Sequence, residues 1–155
     1  RAQAAEELAR EVEAELAAAA SPPAVAAPDF VYWIWRDPWM VAGHDTYISE
    51  LLTAAGWRNA VPAELGRYPC VDPGAATVLA PEAMLFASEP WAFRLPDDLD
   101  AFPGPVSGDA PMWRLGAAAA LEVDGQVFSW YPSRTAAGLR EAVDLRRRLA
   151  GSSSG

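Results

Sequence analysis

Residues 31–60 read VYWIWRDPWMVAGHDTYISELLTAAGWRNA, and the order of chemistry in that stretch decides the fold. It opens as a run of aromatic and branched residues suited to a buried strand. The run breaks at Arg36-Asp37-Pro38, where proline removes a ladder donor and fixes its own φ. Trp39 and Met40 are then exposed in a loop, and Asp45 is placed to cap a helix over Thr46 to Ala55. Ile48, Leu51, Leu52 and Ala55 share one face of that helix, and Gly56 supplies its stop. Apolar character on both faces marks residues 29–36 as a central, parallel strand. A strand that ends in a bulky aromatic loop before a helix builds one wall of a ligand site, because ligands of open parallel sheets lie beyond the carboxyl ends of the strands.

Upstream, residues 2–20 are Ala, Glu, Leu and Arg with apolar positions Ala5, Leu8, Val12, Leu16 and Ala19 stepping by three or four. This predicts one amphipathic helix of about 30 Å, with Glu6 and Arg10 spaced as an i,i+4 pair. Ser21-Pro22-Pro23 ends it, and residues 21–28 read as a stiff Pro/Ala linker. Downstream come a short helix over 73–79, a strand over 82–88, a Pro/Asp-rich surface region over 89–111, and a strand over 117–123 closed by Asp124-Gly125. A last helix, capped by Ser133 or Thr135, runs to about Ala150 with Arg146, Arg147 and Arg148 at its negative end. The order predicts an α/β, three-layer, open and mostly parallel sheet flanked by helices and preceded by one long helix. The expected organisation is therefore a backbone helix at 1–20, the linker at 21–28, an α/β lobe at 29–150 and a flexible tail at 151–155. No strand precedes the first helix to complete a unit. The chain starts at Arg1 with neither Met nor a leader, and reads as a mature or truncated piece of something longer.

At 155 residues the chain can bury roughly 70% of the surface it exposes when unfolded. Its formal charge of −9, with no Lys, argues against nucleic acid, which needs a basic stripe to release counterions. Apolar runs fall short of the roughly 18–20 residues that span a bilayer. Cys70 and His44 are the only cysteine and histidine, so neither a Cys/His metal cage nor an intramolecular disulfide can form.

Each loop leaving a predicted strand carries rings: Arg36 to Trp39, then Glu89-Pro90-Trp91-Ala92-Phe93, then Phe128-Ser129-Trp130-Tyr131, with Tyr68 alongside. Rings give contact area at low entropic cost and Arg grips carboxylates, so the set suits a large, rigid guest with anionic edges. Arg36, Arg94 and Arg134 fit such edges. Each ring taken alone is as well explained by the core, and of Trp33 and Trp35, inside the strand, at least one must be core. No catalytic residue emerges. His44 beside Asp45 reads as a capping neighbour, and Ser49, Ser88 and Ser129 lack a nucleophile elbow and a histidine partner. Asp97, Asp98 and Asp100 lack the spacing of a calcium loop and read as a solvated face. Cys70 reads as a small apolar filler. No enzyme, resident cofactor or metal site is expected.

Taken together, Trp35-Arg36-Asp37-Pro38-Trp39, Asp45-Thr46-Tyr47-Ile48, Leu51-Leu52 and Gly56-Trp57-Arg58-Asn59 resemble the helical-backbone substrate-binding proteins of ABC importers for vitamin B12, ferric siderophores and haem. Arg67-Tyr68-Pro69, Leu85 to Phe93, Val123-Asp124-Gly125, Ser129-Trp130-Tyr131 and Ser133-Arg134 extend the resemblance, in order, over residues 29–149. The resemblance implies a two-lobed clamp whose lobes are joined by a long helix; here it covers that helix and the carboxyl-terminal lobe, with the first lobe absent. It implies ligand contacts from Arg36, Trp39, Tyr68, Trp91, Phe93, Trp130, Tyr131 and Arg134, and a guest such as cobalamin, haem or a ferric siderophore. An importer permease is the implied partner, at the periplasmic or outer face of the membrane. The helix at Pro73 carries Gly74 where the family places a Glu for docking, leaving Asp72 or Glu64 to substitute. The alternative expectation is a stand-alone or dimerising interaction module that covers its aromatic face with a second protein.

Overall fold

The computed structural model describes residues 1–19, 26–128 and 132–152. Helix α1 spans Ala2–Ala19, and strand β1 (Asp29–Trp35) leads through β2 (Met40–Val41) to α2 (Tyr47–Ala54) and β3 (Arg58–Asn59). A 3-10 turn at Ala63–Leu65 precedes α3 (Pro73–Val78) and β4 (Ala83–Ala87). After a second 3-10 turn at Asp97–Ala101 come β5 (Val106–Asp109), β6 (Met112–Leu115) and β7 (Ala118–Val123), and a third at Pro132–Arg134 leads directly into α4 (Thr135–Ser152).

The strands form one mixed sheet in the order β2-β1-β4-β7-β6-β5. Its centre is parallel: Phe30 to Trp33 pair with Ala83 to Phe86, and Ala83 to Ala87 pair with Ala119 to Val123. β3 adds in parallel to the start of β1, and β2 adds antiparallel to its end. The sheet is therefore α/β as expected, and β1 is an inner strand with β3 and β4 parallel beside it, but antiparallel β2, β6 and β5 make the sheet mixed. The β5–β6 hairpin lies partly in the region expected to be irregular surface. All of β5 is exposed, so it carries none of the apolar alternation by which a strand is recognised.

Alternation along the strands sorts the core into two layers. Phe30 and Tyr32 share one layer with Leu85, Leu121, Leu51 and Leu52 of α2, Trp57, and Leu139, Ala142 and Leu145 of α4. Val31 and Trp33 share the other with Met84, Phe86, Ala76 of α3, Phe93, Leu99 and Phe102. Burying each large side chain contributes roughly 1.5–3 kcal/mol. The Trp57 indole donates to the Ala142 carbonyl at 2.9 Å, tying the turn after α2 to α4. α1 lies on α4, where Arg140 reaches Glu11 at 3.0 Å and Glu15 at 2.9 Å and Val12 packs on the first layer. The expected Glu6–Arg10 pair is present but solvated, at 3.9 Å.

Two helix boundaries differ from the expectation, and the glycine stop of α2 agrees with it. Thr46, not Asp45, caps α2: its hydroxyl accepts from the Ser49 N–H at 3.1 Å and donates to the Gly43 carbonyl at 2.8 Å. Asp45 stays exposed while Thr46 is buried, so the uncharged side chain takes the inward position. Gly56 follows α2 with φ of 88°, the left-handed conformation that glycine adopts without a Cβ penalty. α4 continues through Ser152, so Gly151 and Ser152 are helical rather than part of a flexible tail, and the Arg146–Arg148 run sits one turn inside the helix end. Residues 21–25 of the expected linker and 153–155 of the tail lie outside the described residues.

Candidate functional site

An open hollow of about 810 Å³ lies at the carboxyl ends of β1, β4 and β7. Tyr32 and Ile34 of β1 face it from below, Ile48 of α2, Met40 and Trp35 form its sides, and Tyr68 stands on its rim. Opposite are Glu89 and Pro90 after β4, Gly125 and Gln126 after β7, and Arg134 before α4.

Local structure explains each placement. The β1–β2 register shifts between Trp33 and Trp35. Such an irregularity re-aims side chains, and here Trp35 joins Tyr32 and Ile34 at the hollow while Trp33 remains in the opposite layer. The Val41 N–H donates to the Pro69 carbonyl at 3.1 Å and the Gly43 N–H to the Arg67 carbonyl at 2.6 Å, stringing residues 67–69 along the segment after β2. This backbone pairing, not a packed core, holds Tyr68, which is 46% exposed. The Arg67 guanidinium lies 5.9 Å from the Tyr68 ring centre. On the far side Gly125 is required by space: a Cβ there would stand 2.7 Å from the Glu89 carbonyl oxygen.

A polar chain crosses this rim. Arg134 donates to Gln126 Oε1 at 3.2 Å, Gln126 Nε2 donates to Glu89 Oε1 at 2.8 Å, and the Gly125 N–H donates to Ser88 Oγ at 3.0 Å. Beneath, Tyr32 is 1% exposed and meets Phe128 edge-on at 5.8 Å. Burial first, and the negative charge of Asp124 second, push its phenol above the ordinary tyrosine range, so it stays neutral. An apolar bowl with ring edges, one guanidinium and one buried phenol can enclose a bulky guest and orient it through a few polar contacts. Among the described residues no cluster of His, Cys, Asp or Glu could hold a metal ion.

Of the eight residues expected at the ligand, Tyr68 and Arg134 line the hollow. Trp91 stands one layer behind, edge-on to Trp35 at 5.4 Å. Trp39 and Phe93 belong to the other side of the sheet: they stack at 5.7 Å, and Trp39 meets Trp33 and Phe102 edge-on at 5.2 and 5.3 Å. Trp39 is therefore half-buried among rings rather than displayed in a loop, and Phe93 is only 5% exposed. Arg36 lies over Trp39 at 5.2 Å and pairs with Asp98 and, at 3.6 Å, with Asp100. Asp98 also accepts from the Arg94 N–H at 2.7 Å. Asp97 and Asp100 are exposed, as a solvated face would be, but Asp98 is buried, and it latches the loop after β1 to the turn at 97–101 across 62 residues of sequence. Trp130 and Tyr131 lie outside the described residues.

Glu64 and Asp72 are exposed near α3, where Asp72 caps the helix by accepting from the Gly74 N–H at 2.8 Å. His44 Nε2 contacts the Val61 carbonyl at 2.6 Å, a structural tie. Cys70 is exposed rather than filling a core. The reading from sequence did not single out Tyr32, Ile34, Trp35, Met40 or Ile48 as site residues. For Tyr32 the signal was faint: a hydroxyl within the aromatic and branched run of β1, on the strand face opposite that of Trp33.

No protein-family model and no curated protein sequence match the chain. Solved structures do match its fold. The periplasmic vitamin B12 binding protein BtuF of Vibrio cholerae is 12% identical and superposes with a TM-score of 0.71 over 96% of this chain and 54% of its own. The periplasmic heme-binding protein RhuT from Roseiflexus sp. RS-1 is 22% identical, with a TM-score of 0.60 over 95% of this chain and 56% of its own. A possible iron-binding, periplasmic solute-binding protein from Staphylococcus epidermidis is 14% identical, with a TM-score of 0.66 over 90% and 52%. These similar structures are described as binding proteins rather than enzymes, and the chain spans about half their length. Its fold is that of one half of such substrate-binding proteins, with the long helix included.

Proposed function

We propose that this chain is the carboxyl-terminal lobe of the capture subunit of an ABC importer, and that it holds a bulky metal chelate of the cobalamin, haem or ferric siderophore kind without altering it. The observation that carries this reading is the apolar, ring-edged hollow at the carboxyl ends of the parallel strands, in a fold shared with binding proteins for such guests. The hollow is open on one side, and a second lobe upstream of α1 would close it; closure supplies contact area and excludes water, so the isolated lobe binds weakly. The partner that takes the guest onward is an importer permease reached at the periplasmic or outer membrane face, with Glu64 and the surface around α3 as candidate docking groups. The reading as an interaction module has less behind it, because Trp39 and Phe93 are covered within the chain itself.

The test is a tryptophan-fluorescence and absorbance titration of the full-length natural protein with cyanocobalamin, haemin and ferrichrome. Saturable binding of one class, weakened when Tyr68 and Trp35 are changed to Ala together, is the expected result. Failure of all three to bind would refute the proposal. No helix among the described residues is long and apolar enough to cross a membrane.

A further inference from the structure

We infer that the Tyr32 hydroxyl is an unspent donor at the bottom of the hollow that reads an uncharged carbonyl oxygen of the guest. This inference rests on the ligand-binding reading above and adds the chemistry of what reaches deepest.

Tyr32 is 1% exposed, lines the hollow, and has no hydrogen-bond partner among the described residues. The only described side-chain polar atom both sealed from solvent and unpartnered is the Trp33 indole nitrogen, on the other side of the sheet. The Tyr32 oxygen therefore keeps a sliver of surface, and the open space that Tyr32 lines is the hollow. Of the other polar side chains on or near that space, Trp35 stands at its side and Tyr68 at its rim, and the others are committed. Gln126 bridges Glu89 and Arg134, Ser88 Oγ accepts from Gly125, and the Tyr47 hydroxyl is paired with Thr135 at 2.5 Å.

A guest that fills the hollow removes water from this hydroxyl and must supply an acceptor, or leave a buried donor unsatisfied. Charge decides which acceptor. Asp124 presses a negative field on the phenol, and Glu89 puts a carboxylate on the lining itself; among the described lining residues Arg134 is the only cation, and it is exposed. A bare carboxylate at the bottom would face that field with its counter-charge at the rim. An amide or hydroxamate carbonyl, which accepts without carrying net charge, meets no such opposition, and an anionic edge of the same guest is served at Arg134.

Tyr32→Phe removes the oxygen and nothing else. In the full-length natural protein, titrated with cyanocobalamin, ferrichrome and haemin, the expected result is binding of cyanocobalamin or ferrichrome. The variant should bind it about three- to tenfold more weakly, the range for loss of one neutral hydrogen bond. Its unfolding midpoint should be equal to or above that of the parent, since the lost hydroxyl had no protein partner. Unchanged affinity for a guest that does bind, binding of haemin alone, or a lowered unfolding midpoint would each overturn the inference while leaving the site in place. Binding of none of the three would overturn the inference together with the function it rests on.

Discussion

The two sides of the sheet use aromatic residues in opposite ways. On one side Trp33, Trp39, Phe86, Phe93 and Phe102 meet one another in stacked and edge-on pairs between 5.2 and 6.2 Å, and Arg36 with Asp98 clasps the margin. On the other, Tyr32, Trp35 and Tyr68 stand apart around a space they do not fill. Rings that satisfy each other build stability and leave no face for a guest. Rings kept apart by backbone constraints leave surface to be covered. Density of aromatic residues therefore locates the core here, and the hollow is marked by rings that each keep one side against open space.

The comparison breaks most visibly if the closed side is emptied. Trp33→Ala removes a fully buried indole and should cost about 3–5 kcal/mol in urea denaturation; a cost below about 1 kcal/mol would mean that the ring cluster is loosely packed and the contrast false. The latch is next. Asp98→Ala strands the Arg94 N–H and one face of Arg36 and should cost about 1–3 kcal/mol, with binding at the hollow unaffected in the same fluorescence titration. Tyr68→Ala sharpens the contrast from the open side: stability should stay within about 0.5 kcal/mol of the parent, whereas affinity for whichever probe binds falls about tenfold or more.

The smallest effect lies at the far, amino end of β1. A hydrogen bond from the Arg58 guanidinium, with its charge in support, holds the Asp29 carboxyl below the ordinary range. A carboxyl depressed in the folded state contributes stability that is present above its unfolded value of about 3.9 and is lost as pH falls through the folded one. Asp29→Asn should flatten that acid limb of the pH–stability curve, leave the neutral region nearly unchanged and not alter binding. An unaltered acid limb would show that the pair is solvated and idle.

The legibility of the chain followed the range of the forces involved. α1, β1, α2, α3, β4, β7 and α4 were readable within a residue or two because periodicity, caps and proline breaks are local. β2 and β3 were missed, being two residues each, and the β5–β6 hairpin was missed because an exposed strand carries no alternation. Tyr68 and Arg134, candidates from the family resemblance, line the hollow. Trp39 and Phe93 were expected there; Trp39 packs instead on Trp33 and Phe102, and Phe93 on Trp39 and Phe86, residues whose proximity no spacing announces. Asp98 read as solvated because its partner, Arg36, is remote in the chain.

The sequence by itself determined the order of the four helices and the three main parallel strands, and the end of the sheet whose loops surround the hollow, since these follow from hydrophobic period and the geometry of crossovers. Tertiary structure alone decided which rings were spent on one another and which were left facing space, because that depends on a register shift in β1, on the approach of Gly125 to Glu89, and on contacts between residues far apart in the chain.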